Sequence, residues 1–178
     1  MDKKQAMTIE KYVSPFVQLL LEKSQQQDVF EKLSQIKAVC EETNLADFLS
    51  NIAVPDEEKE KAVRLFQNSE STLLDNLIEV VVLNHREDLF VAIIAESLVE
   101  LEKATNEFEV EIKSVSGISD AQKQRLIPLI ENKFSIKVRS IKEVQDADLI
   151  GGFIISANHK TIDASIKGQL QTMKENFR

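Results

Sequence analysis

The side chains best suited to chemistry here are few: His85, His159, Cys40, the acidic runs Glu41-Glu42 and Asp56-Glu57-Glu58, and the pair Gly151-Gly152. A metal centre draws on cysteines and histidines that recur at the spacing of a turn or a loop. Neither histidine has a cysteine or second histidine at such a distance, so both read as structural or surface residues. A reactive thiol needs an electropositive, partly exposed setting. Cys40 instead continues the apolar series Val29, Phe30, Leu33, Ile36 and Val39, the position of a buried core thiol. As the only cysteine it has no internal disulfide partner, which suits a reducing compartment. The acidic runs fall at helix ends, and Asp56-Glu57-Glu58 follows Pro55, where negative charge favours the helix dipole. Gly151-Gly152 carries neither a Gly-Lys-Ser/Thr nor a Gly-x-Gly-x-x-Gly pattern, so a phosphate loop is not supported. Within an apolar run, paired glycines read as a bulge or a point of close backbone approach. No catalytic, cofactor-binding or metal-binding constellation is legible, and the sequence predicts a protein that is not an enzyme.

The elements that would carry these residues divide into two kinds. The 178 residues are 43% hydrophobic and 29% charged, with four glycines and three prolines, a foldable composition that leans to helix. Up to about residue 105 the apolar positions recur at helical spacing. A first helix over about 7–24 holds Tyr12, Val13, Phe16, Leu19 and Leu20; Pro15 lies within it, so the helix either begins at Ser14-Pro15 or is kinked there. A second carries Val29 to Cys40, Asn44 caps a short third over 45–52, and Pro55 opens a fourth that ends near Phe66. Ser71 caps a fifth with Leu73, Leu74, Leu77, Ile78, Val81 and Val82. The sixth, over about 87–103, is apolar on most sides and is expected at the centre of its bundle.

Beyond residue 105 the period shortens to two. Phe108 to Val115 alternates apolar and charged residues, and Ser116-Gly117 turns the chain. Ser119 reads as the N-cap of a helix over 120–133, against which Pro128 is a local conflict. A strand over 136–141 follows, then a buried strand over 149–155 interrupted by Gly151-Gly152. Asn158-His159 makes a hairpin turn into a short strand at Thr161-Ile162. Asp163 or Ser165 caps a terminal helix bearing Ile166, Leu170, Met173 and Phe177. The fold expected is mainly α: an all-α bundle of about six helices over residues 1–105, then a small α+β domain of order β-α-β-β-β-α over residues 106–178.

Charge and surface narrow the function classes. Lysine and arginine number 22 against 30 acidic residues, a net charge of −8, which argues against a nucleic-acid partner. Residues 1–105 hold 11 basic and 20 acidic side chains, and residues 106–178 hold 11 and 10, so the halves face unlike partners or the first is a solvated acidic bundle. No apolar run approaches the 18 or so residues of a membrane span, and Met1-Asp2-Lys3-Lys4-Gln5 opens no signal peptide. The chain is expected to be soluble and intracellular, without direct membrane insertion. Too many helices are apolar on more than one side for every such residue to be interior, so part of that surface is expected to form a groove for a partner helix.

The carboxyl-terminal stretch Leu149-Ile150-Gly151-Gly152-Phe153-Ile154-Ile155, continuing through Asn158-His159 into Ile162-Asp163-Ala164-Ser165-Ile166 and Leu170, resembles the signature of the delta subunit of the F-type rotary ATP synthase, whose mitochondrial relative is the oligomycin-sensitivity-conferring protein. Val110 to Ser119 is similar to that family's strand and helix start, Asn84-His85-Arg86 to the motif before its long sixth helix, and Tyr12 to a first-helix tyrosine. Where the family continues that tyrosine into small residues, this chain has Val13-Ser14-Pro15-Phe16. The resemblance implies a non-catalytic stator subunit without cofactors, held peripherally at the cytoplasmic face of a bacterial membrane. It further implies that the helical domain binds amino-terminal helices of the alpha subunits of the catalytic head in a groove between its first and fifth helices. The carboxyl domain would bind the b subunits of the peripheral stalk. Candidate groove residues are Tyr12, Phe16 and Leu20 with Leu74, Ile78 and Val81; Gly151, Gly152, Asp163 and Ser165 carry the signature as structural residues.

Two readings of other classes compete. A stand-alone helical adaptor would have its gene apart from those of the synthase. A small enzyme built on the glycine-containing domain would be stabilised by a ligand, and nucleotides are expected not to do so.

Overall fold

The computed structural model describes residues 3–176, and the chain divides into two compact units, the first ending at Ala104 and the second beginning at Thr105. Among the described residues the first holds six helices: α1 (Lys3–Glu22), α2 (Gln26–Glu42), α3 (Leu45–Ser50), α4 (Asp56–Arg64), α5 (Thr72–Leu83) and α6 (Phe90–Thr105), the last preceded by a 3₁₀ turn at Glu87–Leu89. α1 packs against α5 and α2, and α4 against α5. Phe90, Ile93, Ile94, Leu98 and Leu101 of α6 are buried in the single core of this unit, as the nearly all-round apolar pattern of that helix requires.

α1 runs unbroken from Lys3 through Pro15, so the helix does not begin at Ser14-Pro15. A proline removes one N–H and displaces the carbonyl four residues back. Pro15 and Lys11 are both exposed, so that carbonyl lies on the wet side of the helix, where solvent can satisfy it. Pro128 is accommodated the same way, with Gln124 exposed beside it.

With so few glycines, other residues must take the left-handed conformation that ends a helix. Ser24 (φ 53°), His85 (φ 52°) and Ser135 (φ 59°) do so. After α5 the His85 N–H donates to the Val82 carbonyl and the Arg86 N–H to the Val81 carbonyl, closing the helix and giving His85 a structural role. Asn44, expected to cap α3 by its side chain, instead has φ 50° and makes no such bond. Ser71 does cap α5, and Ser119 forms a reciprocal capping box with Gln122 at the start of the next helix.

The second unit is β1 (Glu107–Ser114), α7 (Asp120–Phe134), β2 (Lys137–Gln145), β3 (Phe153–Ala157), β4 (Lys160–Asp163) and α8 (Ile166–Asn176), the expected order. The sheet runs β2-β1-β3-β4, with β1 and β2 parallel across the α7 crossover and the other pairs antiparallel. Phe108, Val110 and Ile112 of β1 meet Ile130 and Phe134 of α7, with Ile155 and Ala157 of β3, in a second core. Asn158 and His159 both have positive φ and join β3 to β4 in a two-residue hairpin, the conformation that matches strand twist.

One strand boundary differs from expectation. Gly151-Gly152 does not interrupt a strand; β3 begins at Phe153, after the pair. Gly152 has φ 79°, outside extended geometry, and the Gly151 carbonyl is drawn sideways to accept from the Ile166 N–H at 3.0 Å.

Candidate functional site

Helix periodicity fixes which side of α1 and α5 is apolar, and the six candidate groove residues all lie on those sides. Leu20, Leu74, Ile78 and Val81 have no exposed surface and Phe16 is 4% exposed; Tyr12 is half-buried against the core. Burial between helices thus makes five of them floor and not contact surface in the free chain. Other apolar side chains remain outside. On the mutually packed α1 and α5, Met7, Leu19, Leu21, Val80 and Leu83 are exposed, Leu83 by 67%. The sequence reading placed Leu19 on the first helix but took none of Leu19, Val80 and Leu83 as a groove candidate, because it followed the centre of each apolar stripe, which is core.

The outer face of α5 is tied to α4 by ions. Arg64 bridges Glu60 at 2.7 Å and Glu79 at 2.6 Å, and the Gln67 amide donates to Glu79 at 2.8 Å. Hydrogen bonding from Arg64, then from Gln67, holds the Glu79 carboxyl below the usual carboxylate range. In the second unit Glu143 of β2 pairs with Lys123 of α7 and accepts from the Ile118 N–H at 3.1 Å. Those two donors, Lys123 first, likewise lower its carboxyl.

The signature residues of the carboxyl-terminal end converge at the foot of α8. Asp163 accepts from the Ser165 N–H at 2.8 Å, and the Ser165 hydroxyl accepts from the Gly168 N–H at 3.0 Å, so Ser165 is the cap and Asp163 orients it. Hydrogen bonding from the Ser165 side chain, then from the Ser165 N–H, holds the Asp163 carboxyl below its ordinary value. The backbone of Ala164-Ser165 lies against Gly152: a Cβ there would overlap the Ala164 carbonyl oxygen and come within 2.9 Å of Ser165 Cα. A Cβ on Gly151 would meet Ile166 Cδ1 at 2.8 Å, and one on Gly168 would strike the Asp163 carboxylate. The Ala164 N–H donates to the Phe153 carbonyl at 3.0 Å. The glycine pair, Asp163, Ser165 and Gly168 therefore form one joint that fixes the start of α8. Beyond it Ile166, Leu170 and Met173 lie outward as an exposed stripe; Phe177 lies outside the described residues.

Chemistry finds no support in the remaining groups. Cys40 is buried, and desolvation, aided by Glu41, pushes its thiol up to about 11. Among the described residues no three histidine, cysteine, aspartate or glutamate side chains are placed to hold a metal ion. No described helix is long and apolar enough to cross a membrane.

Comparison with known proteins agrees with this architecture. Residues 9–177 match the family model described as "ATP synthase delta (OSCP) subunit". The chain is 64% identical to the ATP synthase subunit delta of Streptococcus sanguinis and 59% identical to that of Streptococcus gordonii, each over the full length of both chains. Among solved structures it resembles a chain of the Toxoplasma gondii mitochondrial ATP synthase hexamer, with a TM-score of 0.67 at 15% identity, covering 95% of this chain and 96% of that one; at that identity the likeness shows the fold.

Proposed function

This chain belongs to the ATP synthase delta (OSCP) subunit family, the peripheral-stalk subunits of the rotary synthase, and from that premise we propose how its two units do the work of a stator. The helical unit binds the catalytic head through amino-terminal helices of the alpha subunits. The α+β unit binds the b subunits of the peripheral stalk, at the cytoplasmic face of a bacterial membrane. The subunit does no chemistry of its own. It holds the head against rotor torque, so that rotation inside the head drives synthesis instead of spinning the whole assembly.

The observation that carries this reading is apolar surface left over on ordered helices. Leu19 of α1 and Val80 and Leu83 of α5 are exposed on two helices that pack on one another, whose buried faces include Phe16, Leu20, Leu74, Ile78 and Val81, with Tyr12 half-buried. Ile166, Leu170 and Met173 repeat at helical spacing on α8, which suits a stalk helix laid alongside. A torque-bearing contact needs such surface on a rigid base, and the Gly152–Ser165 joint and the Arg64–Glu79 bridge supply it on the two units.

The test is an amide-shift titration of the full chain with a peptide of the alpha subunit's amino terminus. Saturable shifts at Leu19, Val80, Leu83 and their neighbours are expected. An unchanged spectrum at high peptide concentration would refute the head-binding half of the proposal, and a b-subunit peptide read at Ile166, Leu170 and Met173 tests the other half.

A further inference from the structure

Apart from the seam of α1 and α5, the helical unit holds a second groove, between the amino-terminal half of α1 and the carboxyl-terminal half of α6. Its volume is about 330 Å³. Ile9 and Val13 form a buried floor, and Met7, 57% exposed, stands at its edge. Three carboxylates line it: Glu10 from α1 and Glu96 and Glu100, one helical turn apart, from α6. Lys3 is also on the groove, and Lys103 holds Glu100 at 2.6 Å. Glu10 and Glu96 make no direct ion pair among the described residues, though the Lys103 ammonium lies in the field of Glu96 as well as Glu100.

Another cleft, of about 450 Å³, offers a contrast: Val29 is the one apolar side chain in its lining, among Gln25, Asp28, Glu31, Lys32, Gln35 and Glu70. The α1/α6 groove combines a buried apolar floor with a rim on which three carboxylates outnumber Lys3 and Lys103, in a unit that carries 20 acidic residues against 11 basic ones. We propose that the α1/α6 groove docks an amphipathic helix of another polypeptide, its apolar side chains meeting the exposed Met7 over the Ile9–Val13 floor and its flanking lysines or arginines on Glu10 and Glu96. A helix with acidic flanks would leave those carboxylates facing like charge, so the rim selects the partner's sign while the floor supplies contact area. This site is separate from the α1/α5 seam, and its occupancy does not depend on what binds there.

The experiment titrates the full chain with a synthetic amphipathic peptide of roughly four helical turns, leucine and alanine on one face and lysines flanking it, and with a copy whose lysines are glutamates. Saturable amide shifts at Met7, Glu10, Ser14, Glu96 and Glu100 are expected with the lysine peptide. Affinity should fall roughly tenfold in a Glu10→Gln/Glu96→Gln double variant, and by a similar factor as salt is raised several-fold, because the rim charges are solvent-facing. The glutamate peptide should not bind there. Both substitutions are on the surface, and an unchanged thermal midpoint shows that the variant is folded. Met7→Ser should weaken binding while preserving the salt dependence, which separates apolar contact from rim charge. Equal affinity for the two peptides, an unaffected double variant, an absence of shifts, or shifts confined to Leu19, Val80 and Leu83 would each overturn the proposal. The last pattern would do so while leaving the head-binding reading intact.

Discussion

Replacing Gly152 with alanine should loosen the carboxyl-terminal unit and leave the helical unit as it was. At φ 79° an alanine would occupy the left-handed region, at about 1–2 kcal/mol. Its Cβ would also overlap the Ala164 carbonyl and lie 2.9 Å from Ser165 Cα, both backbone atoms that no rotamer change can move. Overpacking of this kind costs about 1–3 kcal/mol. Relief by displacement would stretch the Ala164-to-Phe153 and Ile166-to-Gly151 hydrogen bonds, each 3.0 Å in the parent. The sum is roughly 2–5 kcal/mol, or an increase in opening of some thirtyfold to a few thousandfold, up to the limit set by the unit's own stability. A chain of two units has no single unfolding midpoint that isolates one of them, so native-state hydrogen exchange is the appropriate assay. Amides of Ile112, Ile155 and Ile162 should exchange faster by that factor, while those of Leu74 and Ile94 keep their rates. Gly117→Ala is the control: its Cβ would come no nearer than 4.0 Å to any side chain, so it should change stability by less than about 1 kcal/mol. Equal exchange in parent and Gly152→Ala chains, or an equal effect at Gly117, would refute the close-approach argument.

Ser165→Ala removes the cap of α8 and leaves the Gly168 N–H without its acceptor; exchange at Gly168 and Gln169 should show a loss of about 1 kcal/mol, without release of β1. Acidification should destabilise both units. Glu79 and Glu143 have folded pKa values below their unfolded ones, so the unfolded chain binds more protons, and the stabilisation present above the usual carboxylate range is lost as pH falls through and below it. Urea midpoints followed on acidification should show it, with Glu79→Gln flattening the response of the helical unit alone. The Cys40 thiol, 2% exposed and pushed up to about 11, should resist a thiol reagent at mildly alkaline pH until denaturant opens the bundle; prompt labelling of the folded chain would contradict its burial.

Most of the fold was legible because it rests on local signals. Alternation from Phe108 to Val115 specified β1, Ser119 and Gln122 specified the start of α7, and Asn158-His159 the hairpin. The misreadings share a cause: a contact distant in sequence overrides the local pattern. Gly151-Gly152 sits in an apolar run that reads as strand, yet Ala164 to Ile166 pull the backbone out of extended geometry. β2 continues to Gln145, past the alternation that ends at Ile141, because pairing with β1 carries it through Lys142-Glu143. Of the start or kink that Pro15 suggested in α1, the start does not occur: its missing hydrogen bond falls on the solvent side, and Val13, Phe16 and Val17 bury the other side of one continuous helix.

The docking surface was harder to read for a reason that lies in the physics of amphipathic helices. Periodicity reports that Phe16, Leu20, Ile78 and Val81 share apolar faces, but the same free energy drives a leucine against its own core or against a partner. Only packing decides between them, and here it sends those residues inward, leaving Leu19, Val80 and Leu83 exposed on the same helices, Val80 at the margin of its stripe. Margins are where a second helix can add its contacts without disturbing the first set. Selection for binding therefore widens a stripe while its centre stays fixed, and the informative sequence signal is the width of the apolar arc. α5 illustrates this: Val80 extends an arc already filled by Leu73, Leu74, Leu77, Ile78, Val81 and Val82, while Leu83 is exposed on the other side of this twelve-residue helix. Carboxylates such as Glu10 and Glu96 carry no such periodicity, so a groove that combines a narrow apolar floor with a charged rim emerges only once α1 and α6 are brought together.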